Sequence, residues 1–201
     1  MNERARILVV AATSRELAPP LGWLTLESGV GPVEATAATA AAIAQHRPAA
    51  ILHVGIAGAR RQCAFAPATI VIGSEAIYCD FDLAQRWSPS VVPASADLLA
   101  AAARVLPDAP QLPIGTSARV GGTSECLVEA MEGFGVLRAA QRAGVPALEV
   151  RAISNDIEEA DRARWHFDAA LAAITAVTPA LVDAFSRFLA EEIVAQESSR
   201  A

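Results

Sequence analysis

Two glutamates and an asparagine stand where chemistry is easily built, just past short apolar runs. Glu16 closes the polar segment Thr13-Ser14-Arg15-Glu16 after the run at 7–12. Glu132 follows Ala130-Met131, and Asn155 follows Arg151-Ala152-Ile153-Ser154. A carboxylate can take a proton from water or accept two hydrogen bonds, and an Asn amide brings two N–H donors. His46, His53 and His166 do not cluster, and a lone strand histidine such as His53 reads as a satisfied core residue. Cys63, Cys79 and Cys126 lack metal-ligand spacing and read as buried small hydrophobes in a reducing compartment. No metal and no cofactor is expected.

The composition removes other chemistries. All 16 basic residues are arginine, none of the 201 residues is lysine, and 46 are alanine. A Schiff-base enzyme needs a lysine amine. A phosphate-loop nucleotidase needs the lysine that ends its motif. Any anion must therefore be held by arginine, backbone N–H groups or polar side chains. The net charge of -6 disfavours nucleic acid as a partner. With 53% hydrophobic but only 5% aromatic residues, the core must be aliphatic. The run at 7–12 is too short for a secretory signal, and no apolar stretch approaches the ~20 residues of a membrane helix. A soluble, cytoplasmic single domain over 1–201, with no membrane partner, is the expectation.

The elements that must position these side chains alternate in type. Strands are expected at 7–10, 24–28, 50–56, 68–77, 113–120 and 147–153. Helices are expected at 35–45 (opened by Pro32), 97–105, 133–142, 161–175 and 179–196. Such alternation predicts an α/β layered domain with a largely parallel central sheet. Ligands in such folds collect at the carboxyl ends of strands. That directs attention to 12–16, 55–59, 75–82, 131–132 and 154–156.

Four of these places carry specific wording: Ser28-Gly29-Val30-Gly31, Gly55-Ile56-Ala57-Gly58, Ala130-Met131-Glu132-Gly133 and Arg151-Ala152-Ile153-Ser154-Asn155. Each is weak alone. In this order, over roughly residues 6–190, they resemble the purine nucleoside phosphorylase superfamily and above all its hydrolase branch. That branch contains the 5′-methylthioadenosine/S-adenosylhomocysteine nucleosidases and the futalosine hydrolases. Met131-Glu132-Gly133-Phe134 followed by Arg151-Ala152-Ile153-Ser154-Asn155 looks most like the futalosine hydrolases. The resemblance implies a three-layer α/β/α sandwich around a mixed, largely parallel and partly barrel-like sheet. It implies a homodimer that cleaves a purine–ribose N-glycosidic bond. For futalosine the products are hypoxanthine and dehypoxanthine futalosine, on a route to menaquinone.

The resemblance also implies roles. Glu132 would hold the ribose 2′- and 3′-hydroxyls, with Met131 against the sugar and Ile56, Ala57 and Gly58 lining the substrate site. Adenine-directed nucleosidases of the superfamily carry Asp where Asn155 stands. Hypoxanthine offers two acceptors, N7 and O6, which an amide NH₂ suits. Glu16 is the carboxylate placed to activate water. A phosphorylase would instead need a phosphate cradle, for which His53 and Arg15 are poor material. A purine-nucleoside phosphorylase and a non-catalytic nucleoside-binding protein are the alternatives. The chain is short at 16–24 and at 123–131, where the family often carries an aromatic that stacks on the purine. Phe134, Tyr78 and Trp165 are candidates for that role, and Arg60, Arg61 and Arg164 for a 5′ carboxylate. The acidic stretch at 75–82 matches a family loop near the partner subunit.

Overall fold

The computed structural model describes residues 3–81, 86–122 and 125–198. In chain order they form β1 (Ile7–Ala11), β2 (Leu24–Glu27), α1 (Pro32–His46), β3 (Ala50–Ala59), β4 (Ile70–Tyr78) and β5 (Val91–Pro93). There follow α2 (Ala96–Val105), β6 (Gln111–Thr116), β7 (Val128–Ala130), α3 (Gly133–Ala143), β8 (Ala147–Asp156) and α4 (Phe167–Ser198). Positions 82, 123 and 124 and residues 199–201 lie outside the described residues.

The sheet is mixed. β2, β1, β3 and β8 run parallel, β4 pairs β8 and β5 antiparallel, and β6 lies parallel between β4 and β7. β7 then pairs antiparallel with β3, at Gly58↔Glu129 and Ala59↔Val128. This last ladder joins β3, β8, β4, β6 and β7 into a closed ring, with β1 and β2 extending from β3 as an open wing. The barrel-like part of the sheet is this ring.

Period-two alternation divides the aliphatic side chains between two outer layers. Ile7, Val9, Leu52, Val54, Leu148 and Val150 face α2 and α4. Leu8, Val10 and Ile51 face α1 and α3. A third cluster fills the ring with residues from all five of its strands: Ala57, Val71, Ile114, Val128 and Ile153 are among them. The result is the expected three-layer arrangement.

Some expected elements differ. β3 and β8 run on to Ala59 and Asp156, because their ends pair with each other and β3's also pairs with β7. β6 stops at Thr116, where Ser117 and Ala118 turn to bond Asp80 instead. The two closing helices are one helix, α4, with Pro179 inside it. Proline costs an interior helix about 3 kcal/mol. Burial of Leu181, Val182 and Phe185 beyond it, each worth roughly 1.5–3 kcal/mol, outweighs that. The hydroxyls of Thr175 and Thr178 donate to the carbonyls of Leu171 and Ile174 at 2.8 and 2.7 Å. Uninterrupted, α4 is long and apolar enough to cross a bilayer by length and composition, contrary to the reading of the sequence. Here its apolar stripe packs on the sheet. The three cysteines are half-buried rather than buried, and none is in a disulfide.

Candidate active site

A cavity of about 400 Å³ opens beyond the carboxyl ends of β1, β3 and β8, with β7 along one side. Glu16, Ile56, Ala57, Gly58, Met131, Glu132 and Asn155 all line it, although they come from four separate parts of the chain.

Glu16 ends a 3-10 turn, Ser14–Glu16, that caps β1, and it is only 5% exposed. Its Oε2 accepts from the backbone N–H and the hydroxyl of Thr13, at 2.9 and 3.0 Å. Its Oε1 accepts from the Ile56 N–H at 3.2 Å, which ties the turn to β3. Glu132 sits between β7 and α3 and is 4% exposed. Its side chain does not cap α3. Instead Oε1 accepts from the Gly31 N–H at 3.0 Å and Oε2 faces an Arg151 amino group at 3.5 Å. Gly31 has φ 97°, a conformation that glycine adopts without strain, and this aims its N–H at the carboxylate.

Arg151 lies beneath both glutamates and is 1% exposed. Its Nε donates to Glu149 Oε1 at 2.7 Å, one amino group donates to Ile56 O at 3.4 Å, and the other also meets His53 Nε2. Burial opposes its charge, but Glu149, Glu132 and Glu16 outweigh that and hold its pKa above the ordinary arginine value. A Cβ on Gly55 would strike the guanidinium and come within 2.8 Å of Glu16 Oε1, so the network occupies space that only glycine leaves. Glu149 is fully buried, its Oε2 has no hydrogen-bond partner, and burial raises its pKa despite Arg151. One guanidinium thus serves three carboxylates, and the floor of the cavity carries a surplus of negative charge.

Asn155 reaches the cavity through a bulge. β3 and β8 pair at Ala57↔Ile153 and then at Gly58↔Asn155, so Ser154 is the extra residue and Asn155 comes abreast of Gly58. The Ser154 hydroxyl lies 2.8 Å from Asn155 Oδ1 and 3.2 Å from Ala57 O. Asn155 Nδ2 gives one of its two donors to Asp156 O at 2.9 Å, leaving one for a ligand where two were expected.

Other expected residues lie elsewhere. Phe134 does not line the cavity: it opens α3, its N–H donates to Thr116 Oγ1 at 2.8 Å, and its ring stacks on Tyr78 in the layer between sheet and helices. Of the three aromatic candidates only Trp165 borders the cavity. Arg60, Arg61 and Arg164 are drawn away by neighbouring acids, Glu158, Asp156 and Glu159. The arginines at the cavity are Arg15, Arg119 and Arg162. The acidic stretch contributes Asp80, which bonds Ser117 and Ala118, and Asp82 lies outside the described residues. Among the described residues no group of three or more His, Cys, Asp or Glu side chains is arranged to hold a metal ion.

Arg151 and Glu149 were passed over as functional residues in the sequence. The available signal was two opposite charges two positions apart in an apolar strand, which places both on one face.

His53 gives a test of this network. It is fully buried, its Nδ1 lies 3.0 Å from Val10 O, and its other nitrogen meets a guanidinium, so the ring is neutral with the proton on Nδ1. Burial, reinforced by Arg151, lowers its pKa well below the ordinary value. Below about pH 6.5 the unfolded chain takes up a proton that the folded ring refuses. Stability should therefore fall with pH below that point, by up to about 1.4 kcal/mol per unit from this group. Urea unfolding of wild type and His53→Asn between about pH 5 and 7 isolates the contribution. A difference between the two that stays constant across the range would contradict a neutral buried ring.

Comparison with known proteins follows the same lines. The sequence profile of the phosphorylase superfamily matches residues 24–126. The futalosine hydrolase of Streptomyces coelicolor (strain ATCC BAA-471 / A3(2) / M145) is 36% identical over 186 residues, spanning 78% of this chain and 77% of that protein. In fold, the native structure of futalosine hydrolase of Helicobacter pylori strain 26695 matches with a TM-score of 0.78 at 17% identity, covering 88% of this chain and 97% of that one. The 5′-methylthioadenosine/S-adenosylhomocysteine nucleosidase from Colwellia psychrerythraea 34H, in complex with adenine, also scores 0.78 at 17% identity, covering 89% and 94%.

Proposed function

Since the chain belongs to the futalosine hydrolase family of the phosphorylase superfamily, we propose that it is a soluble cytoplasmic nucleosidase. It hydrolyses the N-glycosidic bond of futalosine to hypoxanthine and dehypoxanthine futalosine, within menaquinone biosynthesis. The observation that carries this reading is the grouping of Glu16, Glu132 and Asn155 on one cavity over a floor richer in carboxylate than in cation.

Cleavage of the bond builds positive charge on the ribose and negative charge on the leaving base. The carboxylate surplus stabilises the first. Glu132 accepts from the 2′- and 3′-hydroxyls through lone pairs not used by Gly31 and Arg151. Glu16 orients water and takes its proton. The remaining Asn155 donor faces the N7 and O6 side of the base, where the charge collects. A phosphate nucleophile would meet Glu16 and Glu132 with the nearest guanidinium already ion-paired below them, so water is favoured. Arg119 and Arg162 border the cavity and supply the cations for a 5′ carboxylate, Arg15 being paired with Asp168, and Trp165 supplies an aromatic face. The exposed Val30 and Val33 offer an apolar surface to a second copy in a homodimer.

The test is hypoxanthine release from futalosine and from inosine by purified protein, with and without phosphate. Release from futalosine without phosphate is expected. A strict requirement for phosphate would assign a phosphorylase, and binding without release would assign a non-catalytic binder. Asn155→Asp should move preference towards 6-aminopurine nucleosides by roughly 10–100-fold in kcat/KM, since a mispaired buried edge costs about 1–3 kcal/mol. An unchanged ratio of inosine to adenosine turnover would remove Asn155 from base recognition.

A further inference from the structure

Arg151 has more acceptors around it than it meets closely, and the distances show which it favours. Its Nε donates to Glu149 Oε1 at 2.7 Å, whereas its nearer amino group stops 3.5 Å from Glu132 Oε2. The first is an ordinary length for an N–H cation on a carboxylate, and the second lies about 0.7 Å beyond it. The same amino group also meets His53 Nε2, which is fixed as an acceptor because Nδ1 faces Val10 O. An arginine and a carboxylate commonly close as a two-pronged fork. Neither glutamate has both prongs here. Glu149 takes Nε alone, and Glu132 turns its other oxygen to the Gly31 N–H at 3.0 Å.

The strands set this arrangement. His53 of β3 pairs with Glu149 of β8, and Gly55 pairs with Arg151. Alternate residues of a strand share a face, so all four lie on one side of the sheet. On the other flank of β8, Gly73 of β4 pairs with Glu149. Glycines leave the room. A Cβ on Gly55 would strike the guanidinium, one on Gly133 would strike Glu149 Oε2, and one on Gly73 would come 3.3 Å from the Glu149 Cβ. Glu149 is fully buried, does not line the cavity, and leaves Oε2 without a hydrogen-bond partner. An unmet buried oxygen costs the fold stability, so stability is a poor reason for a carboxylate at this place. Its grip on Arg151 supplies another.

We propose that Glu149 is a positioning residue: by holding Arg151 at Nε it keeps the guanidinium off Glu132, whose Oε2 stays open to a ribose hydroxyl. This rests on the nucleosidase reading for its substrate. Glu149 acts only through Arg151. Drawn closer, Arg151 would occupy lone pairs of Glu132 Oε2 and neutralise charge that the ribose hydroxyls and the developing ribose cation both use.

Glu149→Met keeps most of the buried volume and removes the acceptor. Its crystal structure should show the Arg151 amino group closing on Glu132 Oε2 from 3.5 Å to about 2.9 Å. Its preference for inosine over 2′-deoxyinosine, as a ratio of kcat/KM in phosphate-free buffer, should shrink by about five- to tenfold. The reason is that a hydrogen bond to a carboxylate already neutralised by a cation is worth nearer the neutral value than the charged one. General damage to the fold would lower both substrates alike and leave the ratio unchanged. Glu149→Gln keeps an acceptor for Nε without the charge, so it should give a smaller change in the same direction. It carries the test if the Met variant does not fold. A guanidinium that stays at the wild-type distance in the Met variant would overturn the proposal. So would an unchanged ratio once the guanidinium has moved, or failure of both variants to fold, which would make Glu149 a structural ion pair. Futalosine turnover without phosphate by wild type is measured separately. Its absence would defeat the nucleosidase reading, while the crystallographic distance still decides whether Glu149 holds Arg151 back.

Discussion

Glu16→Gln should lower kcat for futalosine hydrolysis by on the order of 10²–10⁴-fold with a much smaller change in KM, the range for loss of a general base. Hypoxanthine release in phosphate-free buffer measures it. The geometry explains why an isosteric change is severe. Both Glu16 oxygens accept from backbone N–H groups, Thr13 on one and Ile56 on the other. A glutamine can satisfy only one of these and must turn its NH₂ towards the other. It also cannot take a proton from water. A thermal melt separates the two effects, because a substitution that acts only on the turn lowers the melting temperature and leaves turnover per folded molecule intact. Wild-type kcat in a folded Gln variant would reduce Glu16 to a staple between the β1 turn and β3.

Glu132→Gln should lower kcat/KM by about 10²–10⁴-fold, because hydrogen bonds to a charged acceptor are worth about 1.5–3 kcal/mol each and two hydroxyls are involved. Loss of the hydroxyl contacts predicts a particular pattern. Wild type should discriminate strongly between inosine and 2′-deoxyinosine, and the variant should not. This double-mutant cycle between residue and substrate hydroxyl isolates their interaction from general damage. Damage is expected as well, since Arg151 loses one of its counter-charges and breaking a buried pair typically costs 3–5 kcal/mol. A variant that still penalises the 2′-deoxy substrate as wild type does would take Glu132 off the ribose.

The layered fold was legible because the apolar runs are short, continuous and punctuated by glycine and proline. What local pattern could not carry was ring closure. β7 has three residues, and its register, Gly58↔Glu129, is decided by a pairing distant in sequence. Pro179 reads locally as a stop, and only burial of the residues beyond it on the sheet shows why the helix continues. The site divides in the same way. Glu16, Glu132 and Asn155 follow strand-like runs and could be picked out by position. Arg151 looked like one letter of a motif because its partners, His53, Glu132 and Glu149, meet only in the fold. Arg60 and Arg61 were misread because Asp156 and Glu158, which hold them, follow the site motif itself. Phe134 was misread because the first turn of α3 points away from the cavity that Glu132 enters.

The closed ring also sets an order of events during synthesis. β8 is the last strand among the described residues, and it alone of them pairs with both β3 and β4. Until residues 147–156 have left the ribosome, β3 and β4 each present an unpaired edge. Neither Arg151 nor Asn155 exists to complete the site. Pairings as distant as Ile51↔Ala147 form slowly, because the intervening chain must be ordered before they are made. Exposed strand edges in that interval invite pairing with other chains. Arg151 and Asn155 therefore enter the site in the same step that covers both edges, the insertion of a single strand.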